Sequence, residues 1–260
     1  MEEYLAVARE AALKAGGLLK ENLHGTREIA FKGAINLVTE MDRRSERTVV
    51  ETLLKAFPDH GIMAEEETRI ENGSDFTWII DPLDGTTNYA HGYPCFSVSI
   101  ALEDRGEVIA GVVYDPMRAE LFSAGKGAGA YLNGNRISVS KTGDLIHSLL
   151  STGFPYDRSM SKENNLNYFI ALLMASQEVR RDGSAALDLC AVAAGRFDGF
   201  WELKLNAWDV AAGTLIVQEA GGRISDLSGE RSSIYDKEIL ASNGRIHEQM
   251  VEILRSAKAG

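Results

Sequence analysis

The stretch Trp78-Ile79-Ile80-Asp81-Pro82-Leu83-Asp84-Gly85-Thr86-Thr87-Asn88 decides how this chain is organised. Residues 77–80 are typical of a short buried strand, and two carboxylates follow where that strand ends. Pro82 and Gly85 shape a turn, after which consecutive backbone N–H groups at a short helix start would form an anion site. Carboxylates and anions repel each other unless divalent cations bridge them, and hard oxygen ligands favour Mg²⁺ over zinc.

The segments around this stretch predict a layered, mixed fold. Apolar residues recur on one helical face over residues 1–23. A second helix is expected from Thr39, with Asp42 as its capping-box partner, and it should end before Pro58. Alternating apolar residues over 96–102 predict a half-buried strand.

The second half of the chain alternates helices with strands. Helices are expected at about 162–176, 184–194, 207–220 and 246–257. This order indicates layered α+β or α/β sheets rather than a plain doubly wound fold. A length of 260 residues predicts one folded unit, built on a single core or as two closely packed halves of about 1–145 and 146–260.

The composition restricts the partners and the compartment. Lys and Arg total 27 against 38 Asp and Glu, a net charge of −11, which argues against nucleic acid or a membrane as the main partner. Cys95 and Cys190 are expected to be buried free thiols in a reducing compartment. The chain shows neither a signal-peptide pattern nor an apolar run of the roughly 18 residues that suggest a membrane span. We therefore expect a soluble, cytoplasmic protein.

Three further motifs each have an ordinary structural interpretation when taken alone. Glu65-Glu66-Glu67 would be a solvated loop. Asp209, within Trp208-Asp209-Val210-Ala211-Ala212-Gly213, would favour a helix start through the helix dipole. Gly183-Ser184-Ala185-Ala186 would cap a second helix.

Other catalytic signatures fit poorly. Haloacid-dehalogenase phosphatases use Asp-x-Asp, whereas Asp81 and Asp84 are three residues apart. A relaxed dinucleotide-binding pattern over residues 125–130 runs into the Asn133-Gly134 hairpin turn instead of a helix. The five histidines have no metal-binding spacing and are expected at the surface or in loops.

Together, the motifs resemble the inositol monophosphatase family over nearly the whole chain. The resemblance rests on the stretch 78–88, on Trp208–Gly213, on Glu65-Glu66, on Gly183–Ala186 and on Phe197-Asp198-Gly199-Phe200-Trp201-Glu202. It implies a layered α-β-α-β-α sandwich, the fold shared with fructose bisphosphatases. It also implies a homodimer or a higher homo-oligomer.

The resemblance also implies a cofactor and a set of site residues. Two to three Mg²⁺ ions would be held by Glu65, Asp81, the Leu83 carbonyl, Asp84 and Asp209. Catalytic roles fall to Thr86 and Asp42, which would orient the attacking water, and to Glu65. The Gly85 and Thr86 N–H groups would hold phosphate, and the hydroxyls of the substrate would contact Asp84, Ala186, Glu202 and Asp209.

One loop departs from the family pattern. Residues 32–36 carry Asn36 where relatives usually have Asp, and the loop is one residue shorter. The departure bears on the affinity for the most weakly bound metal ion and on inhibition by lithium. It does not affect the type of reaction.

The function implied is Mg²⁺-dependent hydrolysis of a small polyol or sugar phosphate, first of all inositol 1-phosphate, by activated water without a phosphoenzyme. Thr87-Asn88-Tyr89 resembles the inositol branch, since branches acting on nucleotide 3′-phosphates or histidinol phosphate often have Lys after Asp-Gly-Thr. Three alternatives stay open. They are a dual fructose-1,6-bisphosphatase/inositol monophosphatase, another sugar or nucleotide phosphatase of the superfamily, and a binding or regulatory protein without turnover.

Overall fold

The computed structural model describes residues 1–25, 29–31 and 37–258. The loop with Asn36 lies outside these residues. The α-helices of the described chain are α1 (Glu2–Asn22), α2 (Glu40–Ala56), α3 (Thr86–Ala90), α4 (Leu166–Ala175), α5 (Ala185–Ala193), α6 (Ala207–Glu219) and α7 (His247–Lys258). Its strands are β1 (Ile29–Phe31), β2 (Leu37–Thr39), β3 (Gly61–Ala64), β4 (Arg69–Ile70), β5 (Phe76–Asp84), β6 (Ser97–Asp104), β7 (Glu107–Asp115), β8 (Glu120–Gly125), β9 (Gly129–Leu132), β10 (Asn135–Arg136), β11 (Leu149–Thr152), β12 (Glu178–Arg180), β13 (Gly199–Leu203), β14 (Arg223–Ser225) and β15 (Glu238–Ser242).

Two mixed sheets organise the described chain. The larger has the order β10-β9-β8-β7-β6-β5-β3-β4, and of its neighbouring pairs β3 and β5 are parallel while the others are antiparallel. The smaller has the order β12-β11-β13-β15-β14, with β11 parallel to both of its neighbours. A separate hairpin joins β1 to β2.

Helices separate and cover the two sheets. Helices α1 and α2 pack on the larger sheet, α5 and α6 lie between the sheets, and α4 and α7 cover the smaller one. The layers therefore follow the expected α-β-α-β-α order, and the predicted fold class is confirmed. Within the described residues, no helix combines the length and the apolarity that crossing a bilayer would require.

The middle layer depends on a close approach between β7 and α6. A Cβ atom on Gly111 would lie 2.9 Å from the Ala212 carbonyl oxygen, so the helix backbone rests almost directly on the strand. Helix α6 is also apolar on most of its circumference, as expected for a helix enclosed by sheets. The contact fixes how near the start of α6 comes to the larger sheet.

Three local predictions from the sequence are wrong, each for a packing reason. A half-buried strand was expected over residues 96–102, but β6 is buried on both faces, because α1 covers one and α6 the other. A helix was expected from about residue 162, but α4 begins only at Leu166. Asn165 before it adopts a left-handed φ of 71°, and its side chain bonds Gly153 O and Trp201 Nε1. His247 was expected at the surface or in a loop, but it is fully buried, because its two ring nitrogens bond the hydroxyls of Ser225 and Ser242.

Candidate active site

Strand β5 carries three of the expected site residues at its end. Asp81 and Asp84 are 1% and 8% exposed, and the pairing of β5 with β6 shifts register between them. Such a bulge redirects side chains relative to a regular strand. The Asp81 Oδ1 accepts the Leu83 N–H at 3.0 Å, which fixes the turn between the two carboxylates.

Glycine is required directly after this strand. Gly85 has a φ of 98°, and a Cβ atom there would lie 3.0 Å from the Cys95 carbonyl oxygen. The chain then enters α3 at Thr86, whose hydroxyl lies 3.0 Å from Asp42 Oδ1 and 3.1 Å from the Leu83 carbonyl oxygen. The expected pairing of Asp42 with Thr86 is therefore present in the geometry.

Asp42 is held rigidly on the first turn of α2. Its Oδ2 accepts the Thr39 N–H at 2.8 Å and the Thr39 hydroxyl at 2.5 Å, and the predicted capping box is confirmed. Burial raises the pKa of Asp42, while its bonds to Thr39 and Thr86 favour the ionised form.

Asp84 and Asp209 are each anchored by one oxygen. Ser184 Oγ donates to Asp84 Oδ2 at 2.5 Å, and the Ala186 N–H donates to the same oxygen at 2.8 Å. Asp209 Oδ2 accepts the Asn206 N–H at 2.6 Å as part of a capping box on α6. These hydrogen bonds fix the orientation of both carboxylates at the cavity.

Glu65 comes from the strand next to β5. Strand β3 runs parallel to β5 and ends at Ala64 opposite Ile80, and the Glu65 N–H donates to the Ile80 carbonyl oxygen at 3.1 Å. Glu65 is half-buried and faces the same cavity as Asp81.

A cavity of about 320 Å³ brings most of the expected residues together. Of the residues expected in the site, those that line it are Glu65, Asp81, Leu83, Asp84, Gly85, Thr86, Glu202 and Asp209. Asp42 and Ala186 do not line the cavity. They are hydrogen-bonded to the lining residues Thr86 and Asp84, respectively. Ala185, rather than the fully buried Ala186, forms the surface.

The carboxylates of this cavity repel one another. Burial raises the pKa of Asp84 to about 6 and that of Asp209 to about 8, with the charge of Glu65 adding in both cases. The pKa of Asp81 lies well above its usual range because of burial and the charges of Glu65, Asp84 and Asp209. In the described chain, Asp81, Asp84 and Asp209 have no Lys, Arg or His within salt-bridge distance. Such a cluster is stabilised by bound cations.

The donor set suits a hard divalent cation. Carboxylate and carbonyl oxygens are the ligands that hard divalent cations prefer, and thiol or imidazole ligands are not among the lining residues. In the part of the chain that the structure describes, no three His, Cys, Asp or Glu side chains already converge on one point. The fit therefore rests on the chemistry of the donors and on their mutual repulsion.

Sequence reasoning missed several residues of the cavity. Asp188 is 2% exposed and lines it, and burial together with Asp182 raises its pKa well above the usual range. It lies one helical turn after Ser184 on α5, a spacing that could have indicated it. Arg181 also lines the cavity and opposes the rise that burial causes in the pKa of Glu202, which reaches about 8.

Comparison with known proteins assigns the family. The model of the inositol monophosphatase family matches residues 1–259. The chain belongs to the inositol monophosphatase family.

Three relatives of this inositol monophosphatase family member show how far the similarity extends. "Inositol-1-monophosphatase" of Synechocystis is 45% identical over 98% of this chain and 89% of the relative. "Nus factor SuhB" of Pseudomonas aeruginosa is 44% identical over 98% of this chain and 97% of the relative. The solved inositol monophosphatase of Anabaena superposes with a TM-score of 0.90 at 44% identity, covering 98% and 96% of the two chains. Family membership supports phosphatase activity on small phosphorylated substrates and a dependence on metal ions in general.

Proposed function

We propose that this protein is a Mg²⁺-dependent phosphatase that hydrolyses a small polyol or sugar phosphate, with inositol 1-phosphate as the preferred substrate. The observation that carries the proposal is that one cavity is lined by Glu65, Asp81, Leu83, Asp84 and Asp209 beside Gly85 and Thr86. Two to three Mg²⁺ ions would be held by these five residues. A location in the cytoplasm is part of the proposal, supported by the two buried free thiols.

The reaction needs charge neutralisation and a nucleophile, because phosphate monoesters are extremely inert. Bound Mg²⁺ supplies neutralisation of the phosphate oxygens and an activated water. The Gly85 and Thr86 N–H groups would donate to the phosphate. Glu65, which lines the cavity together with Asp81, would help to hold the attacking water in place.

Thr86 and Asp42 would orient that water. When the Thr86 hydroxyl donates to Asp42 Oδ1, a lone pair on Thr86 Oγ1 remains to accept a hydrogen bond from water. The water oxygen then bonds to phosphorus as the bond from phosphorus to the sugar oxygen breaks, giving the alcohol and inorganic phosphate. Neither residue forms a bond to phosphorus in this scheme.

Substrate selection would depend on acceptors for hydroxyl groups. Asp84, Glu202 and Asp209 line the cavity with acidic side chains. Ala186 would act indirectly, because its N–H donates to Asp84. A volume of about 320 Å³ suits a small phosphorylated ring. Glu202 occupies its place because Gly153 has no side chain, since a Cβ atom there would overlap the Glu202 carboxylate.

A hydrolysis screen tests the function. Inositol 1-phosphate, fructose 1,6-bisphosphate, NADP and histidinol phosphate would be compared with and without Mg²⁺, and phosphate release would be measured. Fastest turnover of inositol 1-phosphate supports the proposal, and comparable turnover of fructose 1,6-bisphosphate would indicate the dual enzyme instead. Absence of turnover on all four would favour the binding or regulatory alternative, which the name "Nus factor SuhB" of several relatives also raises for them.

Glu202→Gln should weaken a polyol substrate selectively. Glutamine replaces one hydroxyl acceptor with a donor, so in assays above about pH 8, where the Glu202 carboxyl is ionised, we expect the KM for inositol 1-phosphate to rise about tenfold, the effect of one lost charged hydrogen bond. Hydrolysis of p-nitrophenyl phosphate, which has no sugar hydroxyls, should change much less. The exposed Glu163→Gln is the matched control. Equal losses on both substrates would assign Glu202 a structural or metal-linked role.

We propose that the homodimer implied by the resemblance forms through an exposed apolar stripe on α4. Leu166, Ile170 and Met174 are exposed at four-residue spacing, and Met174 is 79% exposed, so they form one apolar stripe. Replacing Ile170 and Met174 together by glutamate should shift the molecular mass in solution, measured by light scattering, from dimer to monomer. Glutamate at the exposed Leu13 on α1 should leave the mass unchanged. A double variant that stays dimeric would place the interface elsewhere.

A further inference from the structure

Glu46 lies on α2, is 3% exposed as a residue, and has its carboxylate against the loop that follows Glu65. Its Oε2 accepts the Glu66 N–H at 2.9 Å. Its Oε1 accepts the N–H groups of Glu67 at 3.1 Å and Thr68 at 2.9 Å, together with the Thr68 hydroxyl at 2.7 Å. One side chain therefore receives four hydrogen bonds from three consecutive residues.

These donors explain how Glu46 is tolerated in the interior. A buried carboxylate is costly unless it is paired or fully hydrogen-bonded. Among the described residues, no Lys, Arg or His lies within salt-bridge distance of Glu46, so the loop itself supplies the compensation. The loop conformation and the charge of Glu46 thus depend on each other.

The backbone of Glu65 is consequently fixed on both sides. On one side, its own N–H donates to the carbonyl oxygen of Ile80, the residue before Asp81. On the other, the three residues after it are bound by Glu46. The Ala64 N–H also donates to the Thr68 carbonyl oxygen at 3.0 Å and closes the loop.

The same face of α2 contacts two other parts of the cavity wall. Asp42, Ser45 and Glu46 have the i, i+3, i+4 spacing of one helical face. Asp42 holds Thr86, and Ser45 Oγ donates to the Pro82 carbonyl oxygen at 2.6 Å, between Asp81 and Asp84. Asp42 thus holds α3, Ser45 holds β5, and Glu46 holds the loop that follows Glu65.

We propose that Glu46 is a positioning residue that sets the Glu65 carboxylate for metal binding. The inference rests on the proposed function, because it assumes that Glu65 is a ligand of Mg²⁺. Groups that hydrogen-bond directly to metal ligands contribute roughly 10–100-fold to metal affinity. Glu46 holds the loop after Glu65 and not the ligand itself, so we expect an effect of about tenfold, at the lower end of that range.

Glu46→Gln tests the inference, with Glu51→Gln on the exposed face of α2 as the matched control. Glutamine keeps the size of the side chain but turns an NH₂ group toward backbone donors. Titration calorimetry with Mg²⁺ alone, without substrate, should give a Kd about tenfold higher for Glu46→Gln and unchanged for Glu51→Gln. Hydrogen exchange at residues 66–68 should be faster in Glu46→Gln, and saturating Mg²⁺ should restore most of kcat.

The outcomes separate this inference from the proposed function. A folded Glu46→Gln protein whose Kd for Mg²⁺ matches the wild type would overturn the role of Glu46. If that variant does not fold, Glu46→Asp, which keeps the charge but withdraws it by one methylene, decides by the same calorimetric criterion. A wild-type protein that binds Mg²⁺ but hydrolyses no phosphate monoester would refute the proposed function, and the calorimetric comparison would still judge Glu46.

Discussion

Asp84→Asn is expected to reduce phosphate release by roughly three orders of magnitude or more, since bound cations supply several kcal/mol of transition-state stabilisation. The substitution should leave the local structure intact, because an amide oxygen can still accept from Ser184 Oγ and the Ala186 N–H. The other position of the side chain becomes an NH₂ group, which cannot bind a cation. Steady-state assays across Mg²⁺ concentrations measure the loss.

The same variant should stabilise the metal-free protein. The pKa of Asp84 rises from 3.8 to about 6 on folding, chiefly through burial, so the folded chain binds this proton more tightly than the unfolded chain. The carboxyl therefore costs no stability below about pH 4, and its full cost is present above about pH 6. At pH 7, without Mg²⁺, we expect Asp84→Asn to melt several degrees higher than the wild type.

The exposed Asp59→Asn is the control, and it should change neither turnover nor melting temperature. Mg²⁺ should raise the melting temperature of the wild type and have a much smaller effect on Asp84→Asn. Full turnover by Asp84→Asn would remove Asp84 from the proposed ligand set.

Thr86→Ala is the second large effect. Loss of the hydroxyl that orients water should lower kcat by roughly 10²–10³-fold with little change in KM, within the usual range for groups that assist proton transfer. The adjacent Thr87 is exposed, so Thr87→Ala is a closely matched control. Single-turnover kinetics measure the chemical step directly.

The proposed mechanism also predicts that no phosphoenzyme forms. Rapid acid quench of the wild type with ³²P-labelled substrate should leave the protein unlabelled. A stoichiometric phosphoprotein that forms and decays as fast as turnover would replace the attacking water with a side-chain nucleophile.

Much of the site could be anticipated because it is local in sequence. The Asp81–Thr86 turn, the capping box of Thr39 with Asp42 and the helix start at Asp209 each depend on residues within a few positions of one another. Short-range patterns of this kind determine strand ends and helix starts directly.

Features that depend on distant segments were not predictable from the pattern. A glutamate on a polar helix such as α2 is expected to face solvent. Glu46 is buried because it bonds a loop twenty residues away in the sequence. His247 likewise bonds the hydroxyls of Ser225 and Ser242 from two different strands. Both groups are polar, and their burial depends on partners brought together by the fold.

The close approach of Gly111 to Ala212 has a consequence for tolerance to change. Asp209 stands one turn before Ala212 on α6, while Asp81 and Asp84 belong to the sheet that contains Gly111. The separation between these acidic groups is thus governed by the absence of a single methyl group at a position that touches none of them. A side chain at Gly111 would push α6 away from the larger sheet and so move Asp209 away from Asp81 and Asp84, without touching any of the three carboxylates.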